Sequence, residues 1–282
     1  MILFKQIPGL QKHLQKIKAA NKTIGFVPTM GALHDGHLSL IKRAKETCDA
    51  VVCSIFVNPT QFNNSNDFEK YPITIDRDIY LLEKQGCNIL FLPSEKEIYP
   101  DGKELREQYN LGFIESVLEG EFRPGHFQGV CQVVDRLLDI VQPDYLFLGQ
   151  KDYQQVMVLR KMIELKGHPV QIITGDTLRE SSGLARSSRN LRLNDEEKER
   201  ATAIYKSLLY IKENIASTRI NELKQHAAEM LTNSGFEKID YIAVCNAATL
   251  EPVEQYDANI PGLVLIAAFI GEVRVIDNMG LN

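Results

Sequence analysis

The sequence predicts an α/β protein with a doubly wound parallel sheet, followed by a smaller α+β domain. Apolar runs alternate with helical segments up to about residue 175, and the connections between them are short. Beyond that point two helical segments come first and the strand-like segments come last. We therefore expect a Rossmann-like domain at 1–175 and a smaller C-terminal α+β domain at 176–282. Ligands of doubly wound sheets bind at the carboxyl ends of the strands, so we expect the functional site there.

The first domain is predicted from continuous apolar runs, which are typical of parallel strands buried on both faces. The predicted strands are residues 23–27, 50–57, 88–92, 145–148 and 170–174. The predicted helices between and after them are residues 36–48, 73–85, 128–141 and 153–166. Gly86 follows the second of these helices directly, as expected of a glycine that ends a helix.

The second domain begins with a polar segment, residues 175–190, whose glycine and serine content predicts a loop. Two helices are then predicted at 195–216 and 220–233. The predicted strands are residues 239–244, 263–270 and 273–276. We expect the apolar strand at 263–270 to lie in the core of this domain.

Composition limits the class of function. The chain has 282 residues and a formal net charge of −5, which argues against a general nucleic-acid surface but allows a small anionic substrate. No apolar run is long enough to cross a bilayer, and the apolar part of residues 1–5 is too short for a signal peptide. The cysteines are scattered and never form a C-x-x-C pair, so we expect buried, reduced thiols and a cytoplasmic protein.

The segment 28–37, with the sequence PTMGALHDGH, is the first candidate for chemistry. It leads from a predicted strand through a glycine-containing turn into a helix, and His34 and His37 lie where that helix begins. A helix N-terminus attracts phosphate, and imidazoles there can donate hydrogen bonds to it. The spacing does not match a metal site. A histidine near a turn is often structural or solvated, so both interpretations remain open at this point.

The segment 148–155 again joins a predicted strand to a helix. Gly149 allows close approach of the backbone to a ligand, and Lys151 offers a compact cation for phosphate. Asp152 could cap the helix or face a magnesium ion. The structural alternative is a well-capped helix with a solvated lysine.

The segment 185–190, ARSSRN, is the third candidate. Its two arginines and two hydroxyl groups suit a phosphate clamp, and they equally suit a solvated surface loop. Arg123 and His126, which flank a Pro-Gly pair, could be a second anion contact or part of a surface turn.

These segments together resemble a known family. Residues 28–37 resemble the HIGH-type motif of the superfamily of nucleotidyltransferases and class I aminoacyl-tRNA synthetases. The particular sequence of this segment is similar to that of the pantoate–β-alanine ligase family. Five further segments match in the family's order: FVNPTQF at 56–62, YP at 71–72, RPGHFQGV at 123–130, GQKD at 149–152 and SSRN at 187–190.

The resemblance implies a ligase that condenses (R)-pantoate with β-alanine to pantothenate, with ATP as co-substrate and Mg²⁺. Pantoate would first be activated as pantoyl adenylate with release of pyrophosphate, and β-alanine would then displace AMP. A homodimer formed through the first domain is also implied by the family alone. The alternatives are another adenylyltransferase of this superfamily that acts on a phosphorylated small molecule, and a nucleotide-binding regulator without activity.

The resemblance also implies roles for individual residues. His34, His37, Lys151 and Arg189 would be catalytic, with His37 as the acid, and Asp152 would lie near the metal ion. Gln61 and Gln155 would bind pantoate through their amides. The implied nucleotide site consists of Met30, Gly31, Ala32, Leu33, His34, Asp35, Gly36, His37, Gly149, Gln150, Lys151, Asp152, Leu178, Arg186, Ser187, Ser188 and Arg189.

Two of these positions depart from the family pattern. Arg186 stands where methionine is usual, so its side chain could add a phosphate contact or point to solvent. Leu178 stands where valine is usual, a milder change at a position whose backbone is expected to face adenine. For Gln61, the residues alone favour a turn after Asn58-Pro59, and only the resemblance assigns it to a substrate.

Overall fold

A computed structural model describes residues 1–105 and 107–282, and the described chain divides into two units, Met1–Asp176 and Thr177–Asn282. The strands of the first unit are β1 (Ile2–Phe4), β2 (Ile24–Thr29), β3 (Ala50–Ile55), β4 (Ile89–Phe91), β5 (Tyr145–Gly149) and β6 (Gln171–Gly175). Within the described residues they form one six-stranded sheet in the order β1-β4-β3-β2-β5-β6, and every pairing is parallel. The predicted fold class is therefore confirmed for this unit.

Helices and short turns connect these strands. The helices are α1 (Ile7–Ala19), α2 (Asp35–Thr47), α3 (Ser65–Glu69), α4 (Ile75–Gln85), α5 (Glu95–Ile98), α6 (Phe113–Ser116), α7 (Glu119–Phe122), α8 (His126–Val141) and α9 (Tyr153–Lys166). Two single turns of 3₁₀ helix, Pro59–Gln61 and Gln150–Asp152, follow β3 and β5.

The sheet is covered by helices on both faces. Successive residues of one strand enter opposite cores, because side chains alternate across a sheet. Phe26 and Val52 belong to the core formed with α1, α8 and α9, whereas Val27 and Cys53 belong to the core formed with α2 and α4. Every residue of β3 is buried, as the continuous apolar run predicted. This two-sided burial leaves the carboxyl ends of the strands for ligands.

Two elements at the start of the chain were not predicted. Strand β1 has only three residues, and Ile2 and Leu3 remain exposed by 47% and 39%, so it lacks the apolar pattern of a central strand. Helix α1 contains Pro8-Gly9 in its first turn; this pair normally indicates a turn, but proline is tolerated in the first turn of a helix. Helix α8 begins two residues earlier than predicted, at His126, directly after Gly125 in a left-handed conformation.

The second unit contains three helices and three strands within its range, all of which the structure describes. They are α10 (Asp195–Ala201), α11 (Ala203–Asn214), α12 (Ile220–Asn233), β7 (Lys238–Asn246), β8 (Gly262–Ile270) and β9 (Val273–Gly280). The strands form an antiparallel sheet in the order β7-β8-β9. Strand β8 is almost entirely buried, as expected for the core of this unit.

The single helix predicted at 195–216 is wrong, because the structure has two helices that meet at Thr202. The Thr202 hydroxyl donates a hydrogen bond of 2.7 Å to the carbonyl oxygen of Glu199. The Thr202 amide donates to the same carbonyl. Threonine side chains that bond to nearby carbonyls compete with the regular helical pattern, which accounts for the interruption.

The cysteines lie inside the two units. Cys53, Cys87, Cys131 and Cys245 are buried and Cys48 is half-buried. Burial raises the pKa of the Cys48, Cys87 and Cys245 thiols to about 11, so these groups remain protonated and unreactive at neutral pH. Among the described helices, none combines the length and the apolar character that a bilayer crossing requires.

Candidate active site

The turn between β2 and α2 is held by a buried carboxylate. The Asp78 side chain, on α4, accepts hydrogen bonds of 2.8 Å from the backbone amides of both Ala32 and Leu33. Asp78 is completely buried, and the Thr74 hydroxyl donates a third hydrogen bond of 3.0 Å to it. Hydrogen bonds to a buried charge are strong, and a charge left without them is costly. The Asp78 side chain on α4 therefore fixes the turn that precedes the two histidines.

The backbone of this turn is unusual. Gly31 has φ of +80° and Ala32 has φ of +49°, so two successive residues adopt left-handed conformations. A Cβ atom on Gly31 would lie 3.1 Å from Asp78 Oδ2 and from Ile55. The positive φ favours glycine at position 31, and a Cβ atom there would also crowd both neighbours. Ala32 remains in its unfavourable conformation because Asp78 binds its amide.

Sequence reasoning missed Asp78. It lies in the first turn of an amphipathic helix, where acidic residues are usually solvated. A weak signal existed, since Thr74 stands immediately before the helix and four residues before Asp78. Asp76, in the same turn, is exposed as that pattern suggests.

His34 and His37 cap the N-terminus of α2, where His34 precedes the helix and His37 lies in its first turn. His34 occupies the N-cap position, and its Nδ1 accepts a hydrogen bond of 3.2 Å from the Gly36 amide. In return, Nδ1 of His37 accepts from the His34 amide at 3.4 Å. The two rings lie with their centroids 4.1 Å apart. This is a capping box in which both side chains are imidazoles.

The capping hydrogen bonds determine the tautomer of each histidine. A ring nitrogen that accepts from an amide carries no proton, so in both rings the neutral form has its N–H at Nε2. The pKa of the half-buried His37 is lowered from 6.5 to about 4, chiefly by desolvation, with Asp152 opposing this shift and Lys151 adding to it. His37 is therefore neutral at pH 7 and acts as a hydrogen-bond donor through Nε2.

Lys151 and Asp152 lie at the end of the neighbouring strand β5, which pairs directly with β2. Gly149 is the last residue of this strand, and Gln150 begins the 3₁₀ turn that leads into α9. Lys151 Nζ is 3.8 Å from Asp152 Oδ1. Because both charges shift the pKa of His37, the structure brings the first and second predicted segments together.

Asp152 occupies the N-cap position of α9, but its side chain makes no capping hydrogen bond to the described residues of that helix. Its side chain is 48% exposed, whereas that of Lys151 is 17% exposed. The structural alternative of a well-capped helix with a solvated lysine is therefore wrong. The carboxylate is accessible and the ammonium group is largely enclosed.

Gln61 lies beside the same motif. Its Nε2 donates to the sulfur of Met30 at 3.1 Å, and its Oε1 accepts from Asn58 Nδ2 at 3.2 Å. The 3₁₀ turn that carries it is capped by the Asn58 side chain. Gln155 is half-buried in the first turn of α9, next to the fully enclosed Gln154.

The third predicted segment lies in the second unit. Arg186 donates its backbone amide to Leu178, and Arg179 pairs with Ala185, so residues 178–186 form a small hairpin. The Arg186 guanidinium lies 3.3 Å from a carboxylate oxygen of Glu180. The Arg186 guanidinium therefore has an anionic partner within its own hairpin.

The remaining residues of this segment continue from the hairpin. Ser187 caps the 3₁₀ helix Ser188–Arg192 by accepting from the Arg189 amide. Ser188 is buried and Arg189 is half-buried, whereas Leu178 is 41% exposed.

A doubly wound parallel sheet, with a histidine-capped helix and a lysine–aspartate pair at the carboxyl ends of adjacent strands, defines an α/β enzyme of the Rossmann-like class. A family model described as Pantoate-beta-alanine ligase matches residues 2–280, and the chain belongs to that family.

Full-length relatives support this assignment. The chain is 46% identical to the pantothenate synthetase of Fervidobacterium nodosum, over 100% of both proteins, and 43% identical to that of Cytophaga hutchinsonii, over 99% of both. Among solved structures, the pantothenate synthetase of Thermus thermophilus is 39% identical with a TM-score of 0.91, covering 100% of this chain and 99% of its own.

A further solved structure carries ligands. It is the pantoate-beta-alanine ligase from Francisella tularensis, described as complexed with beta-gamma ATP and beta-alanine. It is 41% identical with a TM-score of 0.84, covering 100% of this chain and 98% of its own.

Replacing Asp78 by alanine is expected to lower the free energy of unfolding by about 3 kcal/mol, because two buried amides lose their acceptor. Denaturant-induced unfolding of each protein measures the change in the free energy of unfolding. Asp76→Ala, in the same helical turn but exposed, is the matched control and should stay within about 0.5 kcal/mol of the unsubstituted protein. Equal effects of the two substitutions would contradict the role assigned to Asp78.

The imidazole of His37 is expected to titrate with a pKa of about 4 in the free protein. Lys151→Met should raise this pKa, since it removes a positive charge, and Asp152→Asn should lower it. Nitrogen-15 NMR of the ring, recorded between pH 3 and 8, follows both the pKa and the Nε2–H tautomer. A midpoint near 6.5 in the unsubstituted protein would be incompatible with the desolvated site.

Proposed function

We propose that the chain joins pantoate to β-alanine in two chemical steps at the carboxyl ends of β2 and β5. As a member of its family it is a ligase that forms pantothenate. The observation that carries the mechanism is the proximity of the neutral His37 to the charges of Lys151 and Asp152. This group of side chains suits a triphosphate, and the ligands of the Francisella relative support ATP as the nucleotide.

In the first step a carboxylate oxygen of pantoate attacks the α-phosphorus of ATP. A new P–O bond forms, the bond to the β-phosphate breaks, and pyrophosphate leaves with the electron pair. Negative charge moves onto the phosphate oxygens during this exchange. Lys151 offsets that charge, and Nε2–H of His34 and His37 donate to it, with donors already oriented by the capping box.

This assignment refines the acid role that the resemblance implied for His37. A neutral imidazole with a pKa of about 4 holds no readily released proton at pH 7. In the free protein it is therefore a donor of hydrogen bonds and not a source of protons. The negative charge of a bound triphosphate raises the pKa again, because an opposite charge favours the imidazolium form.

Asp152 suits Mg²⁺ binding. Its carboxylate is accessible, has no capping role toward α9 among the described residues, and lies beside the lysine proposed to bind phosphate. Magnesium in such sites is held by one or two carboxylates together with phosphate oxygens and water. A bound ion would supply charge neutralisation of the triphosphate, and Asp152 would fix its position.

Gln61 and Gln155 are proposed to bind pantoate. Neutral amides pair with both hydroxyl and carboxylate oxygens, which matches a hydroxy acid. The contact of Gln61 with Met30 joins this amide to the turn of the nucleotide motif. In the second step the amine of β-alanine attacks the acyl carbon and loses a proton as the amide forms, the bond to the adenylate oxygen breaks, and AMP leaves with the electron pair. Water must be excluded until then, because it would hydrolyse the adenylate.

The proposal extends to the second unit. Ser187, Ser188 and Arg189 offer hydroxyl groups and one guanidinium for phosphate oxygens. Arg186 is not assigned to phosphate, since Glu180 already pairs with it. The homodimer implied by the family resemblance and the cytoplasmic location expected from the sequence belong to the same proposal.

The activity is tested with the purified chain, ATP, Mg²⁺ and pantoate, with and without β-alanine. Pyrophosphate, AMP and pantothenate are measured separately. We expect pantothenate and AMP in equal amounts in the complete mixture. Pyrophosphate without pantothenate would favour an adenylyltransferase, and nucleotide binding without any product would favour a regulator.

His37→Ala is expected to slow adenylate formation by about 10²–10³, the usual effect of removing one preorganised donor to a transition state. Single-turnover release of pyrophosphate measures this step directly. Lys42→Ala, an exposed position of α2, is a control for the helix and should retain the rate. A near-normal rate for His37→Ala would reject its proposed role.

A further inference from the structure

A line of polar contacts begins at the turn that carries Gln61. The carbonyl oxygen of Gln61 lies 2.8 Å from Nδ1 of His126, at the first position of α8. On the other side of the ring, Nε2 of His126 lies 3.1 Å from a guanidinium nitrogen of Arg123. His126 is only 5% exposed, so both contacts are shielded from water. The Pro124-Gly125 turn between the two residues is exposed, whereas the His126 ring is enclosed.

The chemistry of the two neighbours determines the state of His126. A carbonyl oxygen only accepts and a guanidinium only donates. Both contacts are satisfied when the ring is neutral with its proton at Nδ1. In that form His126 donates to Gln61 and accepts from Arg123. This tautomer is opposite to that of the two capping histidines.

The line continues toward α9. Arg123 lies 3.4 Å from a carboxylate oxygen of Glu119. The Glu119 amide donates to the side-chain oxygen of Gln154 at 3.1 Å. The Gln154 amide group in turn donates to the carbonyl oxygens of Ile114 and Val117 at 2.7 and 2.8 Å. Gln154 is the immediate neighbour of Gln155 and is 2% exposed.

The Gln61 turn also packs tightly on α8. A Cβ atom on Gly129 would lie 2.3 Å from the carbonyl oxygen of Thr60, a contact that only glycine permits. The Gly129 carbonyl accepts from Asn58 at 3.1 Å. The backbone of the turn is thus packed against Gly129 at Thr60, and His126 contacts the next residue, Gln61, at its carbonyl oxygen.

We propose that His126 and Arg123 are positioning residues that keep Gln61 and Gln155 at the separation that one acid substrate requires. They act through the backbone of the Gln61 turn and through the start of α9, without touching the reacting atoms. The inference rests on the proposed function, because it takes these two glutamines as the pantoate-binding amides. Their separation then determines how well one small hydroxy acid can contact both.

The test compares His126→Phe with His126→Asn in the full chain. Phenylalanine keeps the ring but removes both nitrogens, whereas the asparagine amide can place a donor close to the position of Nδ1. Steady-state pantothenate formation is measured with pantoate varied at saturating ATP and β-alanine. We expect the KM for pantoate to rise about tenfold in His126→Phe, the effect of losing the buried hydrogen bond to the Gln61 carbonyl oxygen, with kcat and the KM for ATP within about twofold. His126→Asn should recover most of the loss.

Arg123→Met gives a second measurement that does not alter the buried ring. It removes the donor to His126 and the partner of Glu119, and it should raise the KM for pantoate in the same direction. An unchanged KM for pantoate in both His126→Phe and Arg123→Met would overturn the proposal. A loss of kcat with every KM unchanged, or no recovery in His126→Asn, would also overturn it in favour of a general structural role.

Failure of the proposed function is visible separately. If Gln61→Ala leaves the KM for pantoate unchanged while the unsubstituted chain makes pantothenate, the assignment of Gln61 is wrong, and the positioning role fails with it. If the unsubstituted chain makes no pantothenate, the reaction itself is wrong. If the unsubstituted chain makes pantothenate and Gln61→Ala raises the KM for pantoate, the two His126 variants decide whether His126 is a positioning residue.

Discussion

The buried carboxylate of Asp78 is the interaction on which the site depends. It binds the amides of Ala32 and Leu33 and so stabilises two left-handed residues in succession. Without it the two amides would lose their acceptor, and the left-handed conformation would lose the hydrogen bonds that stabilise it. The histidines follow directly, so the orientation of both rings depends on a side chain from another helix.

The other parts of the first unit's site are held in a similar way. The Gln61 turn is fixed by Asn58, Gly129 and His126, all of which act on backbone or on a neighbouring amide. The residues proposed to contact substrates are therefore supported by a layer of buried polar groups. Such a layer limits the movement of the contacting side chains and keeps them close to a productive geometry.

Sequence reasoning recovered the sheet because its strands are apolar runs buried on both faces, as in β3. It failed where local pattern and tertiary context disagree. Strand β1 is too short and exposed to leave a pattern, and Thr202 interrupts a helix through a single hydroxyl. Asp78 resembled a solvated helix residue, because nothing local shows that its backbone partners lie 46 and 45 residues away in the chain. The histidine pair was recognisable in the sequence, whereas its capping hydrogen bonds and tautomers depend on the three-dimensional arrangement of the turn.

The use of backbone amides in the turn and the helix has a further consequence. Many phosphate-binding loops present amide groups, which carry no titratable charge and tolerate changes of side chain. Here the amides of Ala32, Leu33 and Gly36 already bind groups of the protein itself. In the proposed function, an anion at this edge is therefore recognised chiefly by imidazole and ammonium groups. Its affinity becomes a property of side-chain identity and of pH, so selection can tune or abolish it by single substitutions without rebuilding the loop.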